Sequence, residues 1–293
     1  MSRLLNIFRL SRPLYLLLAA LTYSLGAGIA HFLGKPLMST ALWLGLVGIV
    51  FAQLGMSLLV EVFRPFNEPI VQDETAADRK AVRDAVLYVS VAALASLAVI
   101  AFVLYKDRLL GSPAFLSVAV SLLVLLAYST PPLRLVDKGF GELLLSIQIA
   151  YVDPSIAYLL QAGTYHNLVV FISTPLVLLM LAMLLALDFP SFSGDMKYER
   201  STLLSRLGWE RAIPLHNFLV LASYGFLLTG PVFGFSLRSL WPAFLTFPFA
   251  LFQIYWLRNI SLGARPIWPL LTANAIAVFG LTAYLLTLTF WLR

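Results

Sequence analysis

A chain of 293 residues that is 60% hydrophobic and only 12% charged carries more apolar surface than a soluble domain of that length can hide, so a soluble globular protein is excluded. What remains is an all-α, polytopic membrane protein, because the short alternating segments of a transmembrane barrel are missing. The lack of cysteine excludes disulfides, thiol catalysis and cysteine-ligated metals, and the net charge of +6 is explained by basic loops at one membrane face rather than by a nucleic-acid partner.

Arg3, Arg9 and Arg12 precede a first apolar run, 13–33, that is long enough to span and shows no cleavage-like site, so no cleavable signal peptide is expected. Further runs lie at 40–63, 85–105, 113–130, 143–162, 168–188, 213–233, 240–257 and 268–291, which makes nine candidate transmembrane helices. Each is near the roughly 20 residues that a bilayer requires, the fourth being short. Residues 1–293 read as a single transmembrane domain. Loop charge orients it: fifteen of the twenty Lys and Arg fall on the side of the N-terminus, and Lys35, Lys106, Arg108, Arg238 and Arg293 fall on the other. The N-terminus is therefore expected to be cytoplasmic and the C-terminus outside.

The two longest polar stretches, 64–84 and 188–212, fall on the expected cytoplasmic side. In the first, Glu61 ends a span and Glu68 follows seven residues on, about two helical turns; Asp73 and Glu74 come next. In the second, Asp188 and Asp195 repeat the spacing of seven. Two carboxylate clusters at one mouth of a bundle suit Mg²⁺ held between protein and phosphate oxygens, with Lys197, Arg200 and Arg206 to neutralise the phosphate. The economical picture is a diphosphate at the membrane surface with an apolar tail in the bundle. The plain alternative, solvated charges at helix ends, fits an isolated loop well. It fits Asp188 less well, because that residue adjoins a span.

The stretch "LAYSTPPLRLVDKGFGELLLSI" (126–147), with Tyr128, Pro131, Pro132, Arg134, Lys138, Gly141 and Glu142, resembles the loop between helices 4 and 5 of the UbiA superfamily of intramembrane prenyltransferases. "DPSIAYLLQAGTYH" (153–166) resembles the segment that follows, and "DFPSFSGDMKYERSTLLSRLG" (188–208) resembles the second aspartate-rich motif with its trailing signature. The resemblance covers nearly the whole chain and leans toward the menaquinone and phylloquinone branch. It implies a UbiA-like bundle around a central cavity and transfer of a polyprenyl group from its diphosphate to an aromatic acceptor of naphthoate or quinone-precursor type, helped by Mg²⁺. The implied partners are the prenyl diphosphate, the aromatic acceptor and membrane lipid.

The chain departs from the family pattern at the motifs themselves. N-D-x-x-D-x-x-x-D becomes Val60-Glu61-x-x-Arg64-x-x-x-Glu68, and D-x-x-x-D becomes Ser191-x-x-x-Asp195. Glu61, Glu68, Asp188 and Asp195 are thus the candidate catalytic and Mg²⁺-contacting residues. Arg64 either holds diphosphate in place of a metal ion or pairs with Glu61 or Glu68 and occupies the site. Arg134 and Lys138 resemble phosphate-binding residues of the family, and a positive-inside role explains them nearly as well. Tyr128 faces the reacting centre or is an ordinary interfacial tyrosine. Asp153, a charge inside a span, either polarises the acceptor or is bonded within the bundle. His166 and His216 receive no role, and Asn274 is expected to make an interhelical hydrogen bond.

Motif loss set against full-length resemblance keeps two further functions in view. One is a degenerate relative acting as a lipid- or quinone-binding subunit; the other is altered prenyl chemistry such as cyclisation. A transporter fits the hydropathy but not the 126–208 motif block. The charge asymmetry makes a direct prediction: a topology reporter fused after Arg293 should read as external, and a cytoplasmic signal would overturn the orientation.

Overall fold

The computed structural model describes residues 3–65, 68 and 76–293, and every regular element among them is helical. In chain order these are α1 (Arg3–Leu10), α2 (Pro13–Phe32), α3 (Ser39–Val62), α4 (Ala76–Lys106), α5 (Ser112–Ser129), α6 (Gly141–Ile147) and α7 (Asp153–Ala162). There follow α8 (Asn167–Asp188), α9 (Phe192–Lys197), α10 (Leu203–Leu207), α11 (Trp209–Leu228), α12 (Leu237–Leu240), α13 (Phe247–Ser261) and α14 (Trp268–Trp291). A π-helical turn, Gln148–Val152, joins α6 to α7, and a 3₁₀ stretch, Trp241–Thr246, joins α12 to α13. Nine stretches among the described residues are long and apolar enough to cross a membrane.

Local chemistry sets the ends of these helices. Pro13 opens α2 where a helix needs no backbone donor, directly after Arg12 at φ 51. The Nδ1 of His166, a residue given no role from sequence, accepts from the Leu168 amide at 3.1 Å and caps α8. Gly163, at φ 71, closes α7 in the left-handed conformation that glycine adopts without strain.

Two expectations for the polar stretches are corrected. The first is helical from Ala76 onward, and α3 stops at Val62, so Glu68 does not sit two helical turns above Glu61 on one helix. The second contains α9 and α10, because Thr202 caps α10 by accepting from the Ser205 amide at 3.1 Å. Asp73 and Glu74 lie outside the described residues.

Burial ranks the helices. In the most apolar 18-residue windows of Gly141–Ala162 and Asn167–Lys197, 78% of the residues are buried, against 17% for Asp78–Lys106, so α6–α7 and α8 form the middle and α4 lies at the rim against α3. α2 lies against α7 and α14, and α8 against α11 and α14. Hydrogen bonds between helices supplement the apolar packing, as they must where lipid supplies no hydrophobic drive. Ser223 donates to the Pro175 carbonyl at 2.9 Å, and Tyr224, Thr246 and Thr282 are linked by contacts of 2.7 and 2.6 Å. As expected, Asn274 bonds across to α13, donating to Gln253 at 2.6 Å. Between α3, α4, α5 and α7 runs an apolar slot of about 190 Å³, lined along α3 by Gly45, Gly48, Ile49 and Ala52.

α2 and α7 cross closely. A Cβ placed on Gly26 would stand 2.0 Å from the Pro154 carbonyl oxygen, which is backbone and cannot give way. Gly26→Ala is therefore expected to destabilise the purified protein by about 3 kcal/mol, the scale of overpacking. Gly225→Ala, with nothing within 4 Å of the new Cβ, should be nearly neutral. Equal melting temperatures for the two variants would disprove the crossing.

Candidate functional site

The last turn of α3 leaves carbonyls without helical partners and carries Glu61. Glu61 is 3% exposed, and a carboxylate so buried needs opposite charge close by. Arg64, just past the helix end, supplies it: its Nε and Nη2 lie 2.7 and 2.5 Å from Glu61 Oε2, and its Nη1 reaches Glu68 Oε1 at 2.9 Å. Arg12, at the mouth of α2, stands 3.5 Å from Glu61 Oε1, the same distance from the Tyr128 hydroxyl, and 5.9 Å over the Tyr15 ring. From the far side Arg200 approaches Glu68 at 3.9 Å and Asp195 at 4.0 Å. The result is a chain of alternating sign, Arg12–Glu61–Arg64–Glu68–Arg200–Asp195, across the charged end of the bundle.

A second group lies beside it. Asp188, at the end of α8, has the carboxyl of Glu142 on α6 beside it, with Asp195 and Arg200 as further charged neighbours. Glu142 Oε1 accepts from the Leu203 amide at 3.0 Å, while Glu142 Oε2 and Asp188 Oδ2 meet no N–H or O–H donor among the described residues. Asp195 Oδ2 accepts from Ser191 at 3.1 Å, so the serine standing at an acid position of the motif now holds the surviving acid.

The remaining candidates divide into those that touch this cluster and those that do not. Arg134 donates to the Val60 carbonyl at 3.1 Å and pairs with Asp137, closing the C-terminal end of α3 where a cation is favoured. Lys138 reaches the Pro132 carbonyl at 3.3 Å, and Arg206 donates to the Lys138 carbonyl at 2.9 Å and lies over the Phe140 ring. These two tie the 130–140 and 199–208 segments together. Gly139 makes the tie possible, since a Cβ there would meet Arg206 Cδ at 2.1 Å. Lys197 stacks on its neighbour Tyr198. Asp153 is elsewhere, buried beside Gln148.

The four assigned acids do not fit a Mg²⁺ ion as they stand. Arg64 occupies Glu61 and Glu68, Asp188 turns to Glu142, and no three acid or histidine side chains are grouped closely enough among the described residues to hold a metal. Reading the sequence missed two participants. Arg12 was counted only as a loop charge, although its place immediately before a proline-started helix marks it as fixed at the start of α2. Glu142 was seen as part of a motif without a role, and no one-dimensional signal announces its contact with Asp188.

No family model and no curated protein matches this chain. Solved structures do share its fold. A UbiA homolog from Archaeoglobus fulgidus aligns over 99% of this chain and 98% of its own, with a TM-score of 0.63 and 15% identity. The structure of a UbiA homolog from the same organism bound to GPP and Mg²⁺ aligns over 98% of both chains, with a TM-score of 0.58 and 14% identity. A structure described for digeranylgeranylglyceryl phosphate synthase in membranes aligns over 100% of this chain and 98% of its own, with a TM-score of 0.57 and 13% identity. At these identities the likeness is one of fold.

Proposed function

We propose that this chain is a UbiA-type intramembrane prenyltransferase that binds a prenyl diphosphate and transfers the prenyl group to an aromatic acceptor in the bilayer. The observation that carries the reading is the guanidinium array of Arg12, Arg64 and Arg200 at the mouth of a bundle whose structural relative was solved with GPP and Mg²⁺. In this reading the arginines hold the diphosphate, each guanidinium matching phosphate oxygens in a planar, two-pronged fashion. As the C1–O bond breaks, its electron pair leaves with the diphosphate, and the fixed positive charges stabilise the negative charge gathering there. An aromatic carbon then bonds to C1 and the ring loses its proton. The apolar slot below, beside the same α3, suits the prenyl chain. The basic segments at this end and the N-terminus are read as cytoplasmic. The lean toward quinone-precursor acceptors rests on the motif resemblance alone.

A second reading draws on the pairing of Arg64 with both Glu61 and Glu68. In it the ion pairs hold the mouth shut, and the chain is a non-catalytic lipid-binding relative. Titrating a prenyl diphosphate analogue against the purified protein separates the two. The transferase reading expects binding that Arg64→Ala weakens tenfold or more and that Mg²⁺ changes little. Weak binding by the wild type, gained with Mg²⁺ in the variant Val60→Asn, Arg64→Asp, Ser191→Asp, would replace it by the second. Where turnover with labelled prenyl diphosphate is detected, Asp195→Ala should lower it by about a hundredfold, the scale of losing one preorganised electrostatic group. Unchanged turnover in that variant would remove Asp195 from the site.

A further inference from the structure

A second cavity, of about 250 Å³, lies toward the other end of the bundle. α5 and α8 both pack on α7 and leave the cavity between them, with Tyr165 and His166 of the α7–α8 connection at its edge. It shares no lining residue with the apolar slot, although α5 contributes to both: Leu116, Ser117 and Val120 face this cavity, whereas Val118 and Leu122 face the slot. Ser117 is eleven residues from Tyr128 along α5, about 16 Å at helical rise, so the cavity stands apart from Arg12 and the charged cluster. Leu116, Val120 and Val170 line it and are exposed, so its rim is an apolar surface of the kind that meets acyl chains.

Rings and hydrogen-bond donors line the interior. Tyr151, Ser155 and Tyr158 recur at i, i+4 and i+7, a spacing that puts them on one face. Ser155 gives its hydrogen to the Tyr151 carbonyl at 2.6 Å. Tyr158 is 1% exposed, yet its hydroxyl has no hydrogen-bond partner among the described residues. A phenol so deeply buried ordinarily has one. The His166 ring stands 6.3 Å from the Tyr158 ring, centroid to centroid. Its Nδ1 accepts from the Leu168 amide at 3.1 Å, so the ring proton is assigned to Nε2, which can then only donate. Ser117 gives its hydrogen to the Pro113 carbonyl at 3.1 Å and stands 3.4 Å from the Tyr165 hydroxyl, which ties the connection to α5.

These features specify a ligand. No charged side chain lines the cavity, so an ionic head would meet no counter-charge there. Spare donors call for acceptor oxygens, and walls built from Tyr151, Tyr158, Tyr165 and His166 suit a flat ring held by offset or edge contact. The volume falls below the roughly 300 Å³ at which sites for drug-sized ligands begin, which leaves room for one ring system and not for a two-chain lipid. We propose that this cavity binds the ring of a lipid-soluble quinone, which enters from the bilayer between α5 and α8 and accepts hydrogen bonds from the Tyr158 hydroxyl and His166 Nε2. The site does not depend on the prenyl-transfer reading, because none of its residues belongs to the charged cluster or to the slot.

The chain has no cysteine, so Leu116→Cys gives a single attachment point for a trifluoroethylthio tag at the rim, read by fluorine NMR on the purified full-length protein. Duroquinone and durene, the same tetramethylated ring with and without carbonyl oxygens, are titrated at matched mole fractions in the detergent. Duroquinone should shift the resonance saturably, with a half-saturating mole fraction about tenfold below that of durene, the scale of one or two hydrogen bonds. Tyr158→Phe removes one oxygen and keeps the ring. In the tagged protein it should bring the two compounds within about threefold of each other and leave durene unchanged. His166→Asn retains a capping oxygen for the Leu168 amide and should likewise weaken duroquinone alone, which repeats the test at a residue outside the helices. Equal responses to duroquinone and durene, or no saturable shift with duroquinone, would overturn the site. So would a saturable response to dihexanoyl phosphatidylcholine in place of duroquinone, or an undiminished preference in a Tyr158→Phe or His166→Asn variant that melts like its parent.

Discussion

A buried carboxylate at the end of an apolar helix needs positive charge against it, and the manner in which Glu61 meets that need organises the charged end of the molecule. Its two oxygens face two arginines from different parts of the chain, Arg12 at the start of α2 and Arg64 beyond α3. Arg12 in turn touches Tyr128 at the end of α5, and Arg64 draws in Glu68, which Arg200 approaches from the other polar segment. Helix ends far apart in sequence are thereby held at one level. Every cation in this chain of contacts faces an anion. A polyanion entering the cluster competes with internal carboxylates for the same guanidinium groups.

α3 sets three environments in vertical order. Gly45, Gly48, Ile49 and Ala52 face the apolar slot, Gln53 lies in a buried polar cluster with Ser121, Gln148 and Asp153, and Glu61 faces the arginines. α5 repeats the order with Leu122 in the slot, Ser121 in the polar cluster, and Tyr128 beside Arg12.

Most of the fold was readable from the sequence because a bilayer makes length and apolarity decisive. All nine expected spans reappear as helical stretches among the described residues, and the last coincides with 268–291. The motif stretches at 126–147 and 188–208 do lie together, as the Arg206–Lys138 and Glu142–Leu203 bonds show. What escaped is tertiary. Whether Arg64 turned toward its neighbours or outward depends on where α3 stops, and its register was misjudged by continuing the helix to Glu68. Arg12, Glu142, Gln53 and Gln148 look unremarkable singly; their meaning comes from partners tens of residues away. The π-helical turn has no clear mark in a pattern of apolar residues, although it decides that Gln148 meets Asp153 rather than missing it.

α4, the helix with the least buried span, forms one side of the slot. Its packing partner is chiefly α3, and much of its remaining surface, including Val91, Val99 and Phe102, is exposed among lipid tails. The width of the slot is thus set in part by the lateral pressure of the surrounding acyl chains. Lipid packing around α4 is thereby a mechanical variable for the slot, separate from every residue of the charged cluster.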